Sequence, residues 1–248
     1  MLKCIEFMGS PGAGKTTICK TICDDKRFVS LNEALWLSMK NNLSDRFWKR
    51  IFLFVPSFIG KKKSRSTFLK TADYLQSLEN FKFKNLDLFN LCNARAEKSE
   101  NSMIKNQFSR FLSSYQFISK HLENKTLVLD HGFAQNAISL FAYDDFIDQR
   151  QLENYFHQIP IPDIVCIIVA DKYTYLKRIN QRERGKPIRM RNLSNEKTLN
   201  FYSNCDKVIK SASSILKERG AKIILVENNG ELDAALQKIR DNTKSLVF

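Results

Sequence analysis

Glycine and proline are scarce in this chain, eight and five among 248 residues, which leaves little material for long flexible linkers. No repeat and no low-complexity tract is visible. The longest apolar run, Ile51 to Ile59, is broken by Pro56 and reaches about half of the roughly 20 residues that a bilayer-spanning helix needs. A membrane span is therefore excluded. Cysteines form neither a short secreted framework nor a set of paired metal ligands: the six, at 4, 19, 23, 92, 166 and 205, are scattered in apolar settings and read as reduced, buried thiols. Cys19 and Cys23 share one helix face at i, i+4, but with no neighbouring His or further Cys they read as core rather than as a zinc site. No signal peptide is expected either, because the apolar start Met1 to Met8 contains Lys3 and Glu6 and runs straight into a glycine-rich turn. The expectation is a cytoplasmic protein. Acidic residues are the last shortage: 26 Asp and Glu face 40 Lys and Arg, for a formal charge of +14.

What is present suits one packed domain, since 43% hydrophobic residues in 248 can build a single large core. Short runs rich in Val, Ile or Leu predict strands at Lys3 to Met8, Phe28 to Asn32, Thr126 to Asp130, Ile164 to Ala170 and Lys222 to Val226. Helical stretches separate them: about Lys15 to Asp24, Ser194 to Glu218 and Gly230 to Arg240. Continuous apolar strands of this kind predict an α/β fold, a five-stranded parallel sheet with helices on both faces. The stretch from Glu33 to Glu123 is too long for a simple crossover and carries aromatics at helical spacing. It is expected to be a mostly helical insertion whose aromatics form core.

Gly9-Ser10-Pro11-Gly12-Ala13-Gly14-Lys15-Thr16 matches the phosphate-loop pattern G-x-x-x-x-G-K-[ST] in full, between a predicted strand and a predicted helix. The glycines let backbone N–H groups and the helix N-terminus face phosphate oxygens. Lys15 would reach the β- and γ-phosphates of ATP, the Thr16 hydroxyl would ligate Mg²⁺, and Thr17 would add a hydroxyl near the α-phosphate. Asp130, after Leu127-Val128-Leu129, has the pattern of the carboxylate that holds Mg²⁺ beside such a loop. Its alternative is to cap the next helix.

The excess of positive over negative charge is concentrated in two stretches. Arg46 to Lys70 holds eight Lys/Arg and no acid, and Lys172 to Arg191 holds eight against Glu183. Charge concentrated in this way suggests places that hold phosphate, with a solvated basic face as the plain alternative. In the second stretch Arg178 and Arg182 stand four apart, followed by Arg184; fixed guanidinium forks suit the charge of a phosphoryl group in transfer. No N-K-x-D follows a late strand: Asn124-Lys125 runs into Thr126 and Leu127 ahead of the third strand, which argues against a GTPase.

With these features in order, the chain resembles the P-loop nucleoside and nucleotide kinases, the thymidylate kinase and deoxynucleoside kinase group. The likeness rests on the phosphate loop, on Arg178-x-x-x-Arg182-x-Arg184 after Val169-Ala170-Asp171, and on a last strand followed by Asn228, Asn229 and Gly230. It covers the nucleotide-binding framework and is weak across Glu33 to Glu123. The resemblance implies a P-loop three-layer sandwich spanning 1–248, with the insertion at about 33–123 and an arginine-rich lid at about 172–191. It also implies catalytic roles for Lys15, Asp130, Arg178, Arg182 and Arg184. Glu33, with Ala34 where that group usually carries Pro, falls at the place of the carboxylate that deprotonates the acceptor hydroxyl. That group usually carries Arg directly after the third strand's acid, whereas here His131 follows Asp130. His131, Gln135 and Arg95 thus become the candidate contacts to the acceptor.

The expected activity is transfer of the ATP γ-phosphoryl group to a small nucleoside-, nucleotide- or sugar-like acceptor, with Mg²⁺. The competing reading is a non-catalytic or nucleic-acid-linked nucleotide-binding module, in which residues 46–70 track a phosphate backbone. An anionic membrane surface could use the same segment alongside kinase activity, and a second copy of the chain is an admissible partner.

Overall fold

The computed structural model describes residues 2–44, 72–98, 102–182, 185–230 and 232–244. The basic segment 46–70, together with Glu183 and Arg184, lies outside the described residues. The strands are β1 (Lys3–Met8), β2 (Phe28–Ser30), β3 (Thr126–Leu129), β4 (Ile164–Val169) and β5 (Lys222–Glu227). They form one five-stranded sheet in the order β2-β3-β1-β4-β5, and the fold is a parallel α/β sheet with helices around it. β1 pairs with β4 from Ile5↔Ile164 to Met8↔Ile167, and β4 with β5 from Ile164↔Lys222 to Val169↔Glu227, both in parallel.

Burial follows strand position. In β1 every residue after Lys3 is buried, and in β4 every residue from Ile164 to Ile168, because a central parallel strand is covered on both faces. At the sheet edge β5 buries Ile224 and Val226 but leaves Lys222, Leu225 and Glu227 exposed. The order matters for function: chain connections reverse direction at β1, with β3 on one side and β4 on the other. Ligands of open α/β sheets bind beyond the carboxyl ends of strands at such a point.

By compactness the chain divides into two units, Lys3–Phe28 with Val128–Phe248, and Met1–Leu2 with Val29–Leu127. The first holds the phosphate loop. Its helices are α1 (Lys15–Ile22), α6 (Phe133–Phe141), α7 (Gln149–Gln158), α8 (Lys172–Asn180), α9 (Asn195–Glu218) and α10 (Leu232–Thr243). Short polar side chains start several of them. Asp148 accepts the Gln151 N–H at 3.1 Å, Asp171 the Thr174 N–H at 2.8 Å and Ser194 the Lys197 N–H at 3.2 Å, each satisfying an orphan donor of the first turn. α9 buries Phe201, Cys205, Val208, Ala212 and Ile215, spaced three or four apart, with Leu216 beside them, which makes one continuous apolar stripe.

The second unit contains α2 (Leu31–Ser44), α3 (Ala72–Lys84), α4 (Leu86–Lys98) and α5 (Ser102–His121), with α5 packed against the other three. Among its described residues several aromatics are core, as their spacing predicts: Phe81 and Phe117 are fully buried, and Tyr74 donates to the Arg110 carbonyl at 3.1 Å while sharing a hydrogen bond with Ser114 Oγ at 2.9 Å; Trp36, Phe89 and Tyr115 are half-buried. Asn41 on α2 donates to the His121 carbonyl at 2.8 Å, satisfying one acceptor of the last turn of α5. Phe83 is 91% exposed. No helix among the described residues is long and apolar enough to cross a membrane.

One contact fastens α7 to the turn that carries Asp130. The fully buried Tyr155 donates its hydroxyl to the Phe133 carbonyl at 2.7 Å. Tyr155→Phe keeps the ring and removes the hydroxyl that makes this bond. It is expected to lower the unfolding free energy by about 1 kcal/mol, read as a lower urea midpoint at unchanged slope.

Candidate functional site

β1 ends at Met8, and the chain turns through Gly9–Gly14 into α1, whose first residue is Lys15. Gly14 is the N-cap with φ +91°, a left-handed conformation that favours glycine, and a Cβ there would collide with the Asn228 side-chain amide. The loop is braced from four directions. Gly9 N–H donates to Gln135 Oε1 at 2.9 Å, and the Ala13 carbonyl accepts from Asn228 Nδ2 at 2.7 Å. The same carbonyl accepts from Arg178 at 3.4 Å, and Tyr202 donates to the Pro11 carbonyl at 3.3 Å. These partners come from α6, the turn after β5, α8 and α9, so the whole unit holds the loop's shape.

Inside the loop the Lys15 ammonium, 7% exposed, donates to the carbonyls of Gly9 at 2.6 Å and Ser10 at 3.1 Å. Burial pushes its pKa down to about 8, partly opposed by the nearby Asp130 carboxylate and assisted by Arg182. Thr16 donates its hydroxyl to Asp130 Oδ2 at 2.7 Å. Asp130 Oδ1 is buried with no hydrogen-bond partner among the described residues. A hydroxyl and a carboxylate with one unsatisfied oxygen are hard donors that suit Mg²⁺, which binds one or two protein oxygens and completes its shell with water and phosphate.

Asp130 does not cap the next helix. α6 starts at Phe133 with Gly132 as its N-cap and no side-chain cap from the chain just before it. The donors of that first turn are taken instead by Glu6 of β1, which is 1% exposed: Phe133 N–H meets Oε1 at 3.0 Å and Ala134 N–H meets Oε2 at 2.7 Å. Burial raises the Glu6 pKa to about 7, opposed by those two N–H bonds.

A cleft of about 650 Å³ opens over the loop. Lys15, Thr16 and Thr17 line its phosphate end with Arg178 and Arg182, and His131 and Gln135 stand along one wall. Ile138, Tyr143, Pro187 and Phe201 make an apolar region of the same cleft, with Tyr143 and Phe201 packed at 4.4 Å between ring centroids. His131 is exposed at the cleft wall, where partial loss of solvation and the positive charges of Lys15 and Arg182 shift its pKa downward while Asp130 pulls it up.

The structure thus brings together Gly9, Ser10, Pro11, Gly12, Ala13, Gly14, Lys15, Thr16, Thr17, Asp130, His131, Gln135, Arg178 and Arg182 in one unit. Arg178 closes the last turn of α8, but Arg182 lies beyond the helix end at Asn180, so the two are not on one helical face as their spacing predicts. Gln181 already serves as the C-cap. Glu33 and Arg95 belong to the helical unit. Glu33 is exposed in the first turn of α2, where its N–H donates to Ser30 Oγ at 3.4 Å, and Arg95 is buried in α4. Three residues of the site have no role in the sequence-based reading: Asn228, Tyr202 and Glu6. A lone acid inside an otherwise apolar strand was the available signal for Glu6, and a polar turn after β5 the signal for Asn228.

A glycine-rich loop between β1 and α1, a threonine–carboxylate pair and a basic cleft make up the site of this parallel α/β fold. Among solved structures, the fold is similar to deoxyadenosine kinase from M. mycoides, at 14% identity over 98% of this chain and 99% of that one, with a TM-score of 0.49. It is also similar to thymidylate kinase from Candida albicans (13%, 99% and 92%, 0.48) and to shikimate kinase from Acinetobacter baumannii (15%, 99% and 95%, 0.43). No family model and no curated protein matches the chain.

Proposed function

We propose that the protein is an ATP-dependent phosphotransferase acting on a small nucleoside-, nucleotide- or sugar-like acceptor. The observation that carries this reading is that Lys15, Thr16, Arg178 and Arg182 line one cleft, with Asp130 hydrogen-bonded to Thr16. A binding module needs the loop but has little use for two further guanidinium groups over the same phosphates. Phosphoryl transfer needs them, because its catalysis is positioning plus stabilisation of charge on the equatorial oxygens.

Lys15 would exchange the carbonyls of Gly9 and Ser10 for the β- and γ-phosphate oxygens. Thr16 and Asp130 would hold Mg²⁺, which supplies charge neutralisation between those phosphates. Arg182, its guanidinium exposed and without a hydrogen-bond partner among the described residues, is free to follow the γ-phosphoryl group. Arg178, bonded to the Asn228 carbonyl at 2.8 Å, stands fixed beside the loop, and Arg184, outside the described residues, is a further catalytic candidate by the resemblance alone. His131 would meet the acceptor through a hydrogen bond. Gln135 commits its oxygen to Gly9, which leaves its amide N–H groups for the acceptor. Glu33 as general base and Arg95 as an acceptor contact rest on the resemblance in sequence alone.

The test is ADP release from MgATP with a panel of nucleosides, nucleoside monophosphates and sugars. Stimulation by one acceptor, lost in Arg182→Ala, is the expected result. MgATP binding with no stimulation by any acceptor would overturn the transferase reading while leaving nucleotide binding intact.

A further inference from the structure

We propose that Glu6 is a positioning residue of the nucleotide site, a carboxylate inside β1 that sets the Asp130-His131-Gly132 turn against the phosphate loop. The inference rests on the reading of this loop as a nucleotide site and adds a residue that the motif does not contain.

Three observations carry it. First, Glu6 is 1% exposed in the central strand that leads into the loop, where an apolar side chain would fill the space without the cost of burying an acid. Second, both carboxylate oxygens are used, one on Phe133 N–H and one on Ala134 N–H, so the first turn of α6 is held in two places by one side chain. These N–H groups carry the positive end of the helix dipole, which makes a carboxylate a better partner than a neutral amide. Third, the backbone is shaped around the carboxylate: a Cβ on Gly132 would collide with the Glu6 carboxyl carbon, although Gly132 itself has φ −87°, a conformation open to any residue.

The consequence runs in two directions from α6. Toward its N-terminus, Gly132 is two residues from Asp130, whose Oδ2 accepts from Thr16 at 2.7 Å. Toward its interior, Gln135 accepts the Gly9 N–H at 2.9 Å at the opening of the phosphate loop. A shift of the first turn of α6 therefore moves the carboxylate intended for the metal and the brace of the loop together. A glutamine at position 6 has the same shape but offers one acceptor oxygen, and its amide N–H groups would oppose the second backbone donor.

ATP binding to the full chain, measured by calorimetry with Mg²⁺ and again with EDTA, tests this without requiring turnover. Glu6→Gln is expected to reduce the gain in ATP affinity that Mg²⁺ brings to the native protein by about tenfold, and affinity in EDTA by less. Gly132→Ala leaves Glu6 in place but crowds its carboxylate, and is expected to produce the same selective loss; it decides the matter if Glu6→Gln does not fold. A role confined to packing would lower the thermal midpoint of both variants and leave the ratio of the two affinities native, which would overturn the proposal. If the native chain binds ATP in neither condition, the nucleotide-site reading itself falls, an outcome distinct from variants that bind as the native protein does.

Discussion

Alanine at Lys15 is expected to lower acceptor-dependent ADP release by about 10²–10³-fold or more, the range for removing one preorganised charge from a developing transition state. The ammonium is nearly buried, and its donors meet the carbonyls of Gly9 and Ser10 within the loop. It is held where phosphate oxygens would arrive and needs little reorganisation to meet them. Its titration offers a second reading of the same contact. Burial brings the Lys15 pKa down to about 8, and a triphosphate raises it again by supplying opposite charge. Binding near pH 8 should therefore take up roughly half a proton, with almost none taken up at pH 6. ATP affinity should fall as pH rises through about 8, and Lys15→Ala should lose this dependence. Calorimetry in two buffers of different ionisation enthalpy measures the uptake; none at pH 8 would mean that the ammonium stays out of contact with the nucleotide. In the free protein the sign is the reverse of that for a stabilised cation. With the folded pKa below the unfolded one, the unfolded chain binds more protons between about 8 and 10.5, so this group makes stability rise with pH across that window.

Much of this was legible in the residues because the physics is local. β1 begins and ends where its apolar run meets Lys3 and Gly9, and a phosphate loop between strand and helix is written in eight consecutive letters. β3 and β4 each end one residue before the predicted Asp130 and Ala170, since the last residue of an apolar run need not pair in the ladder. The remainder depends on partners that have no signature. The side chain of Asn228 reaches Ala13 across 215 positions, and a polar turn after β5 says nothing of which carbonyl it will meet. Glu6 binds backbone N–H groups, which every residue but proline carries and no sequence marks. Arg178 and Arg182 look like a helical pair at i, i+4, but α8 stops between them with no Gly or Pro to announce it. The end of a helix is decided by where its last carbonyls find partners, and that is tertiary information.

That break in α8 divides the work of the two arginines and sets the other large expected effect. Arg182, past the helix, has an exposed guanidinium over the cleft, whereas Arg178 is tied to the carbonyls of Asn228 at 2.8 Å and Ala13 at 3.4 Å. Arg182→Ala should therefore cost turnover about 10³-fold, the scale of an arginine acting on the transferred phosphoryl group, while changing MgATP affinity by only about threefold. Arg182→Lys should recover little, because a single ammonium cannot reproduce a planar fork across two phosphate oxygens. Arg178→Ala should behave differently. It removes two bonds that shape the loop, so MgATP affinity and thermal stability should fall together with turnover. Steady-state rates beside direct binding measurements separate the two. Equal losses of affinity and turnover in both variants would mean that the arginines serve a common binding role. A loss of turnover alone at Arg182 would place its charge on the moving phosphoryl group, where transfer needs a cation.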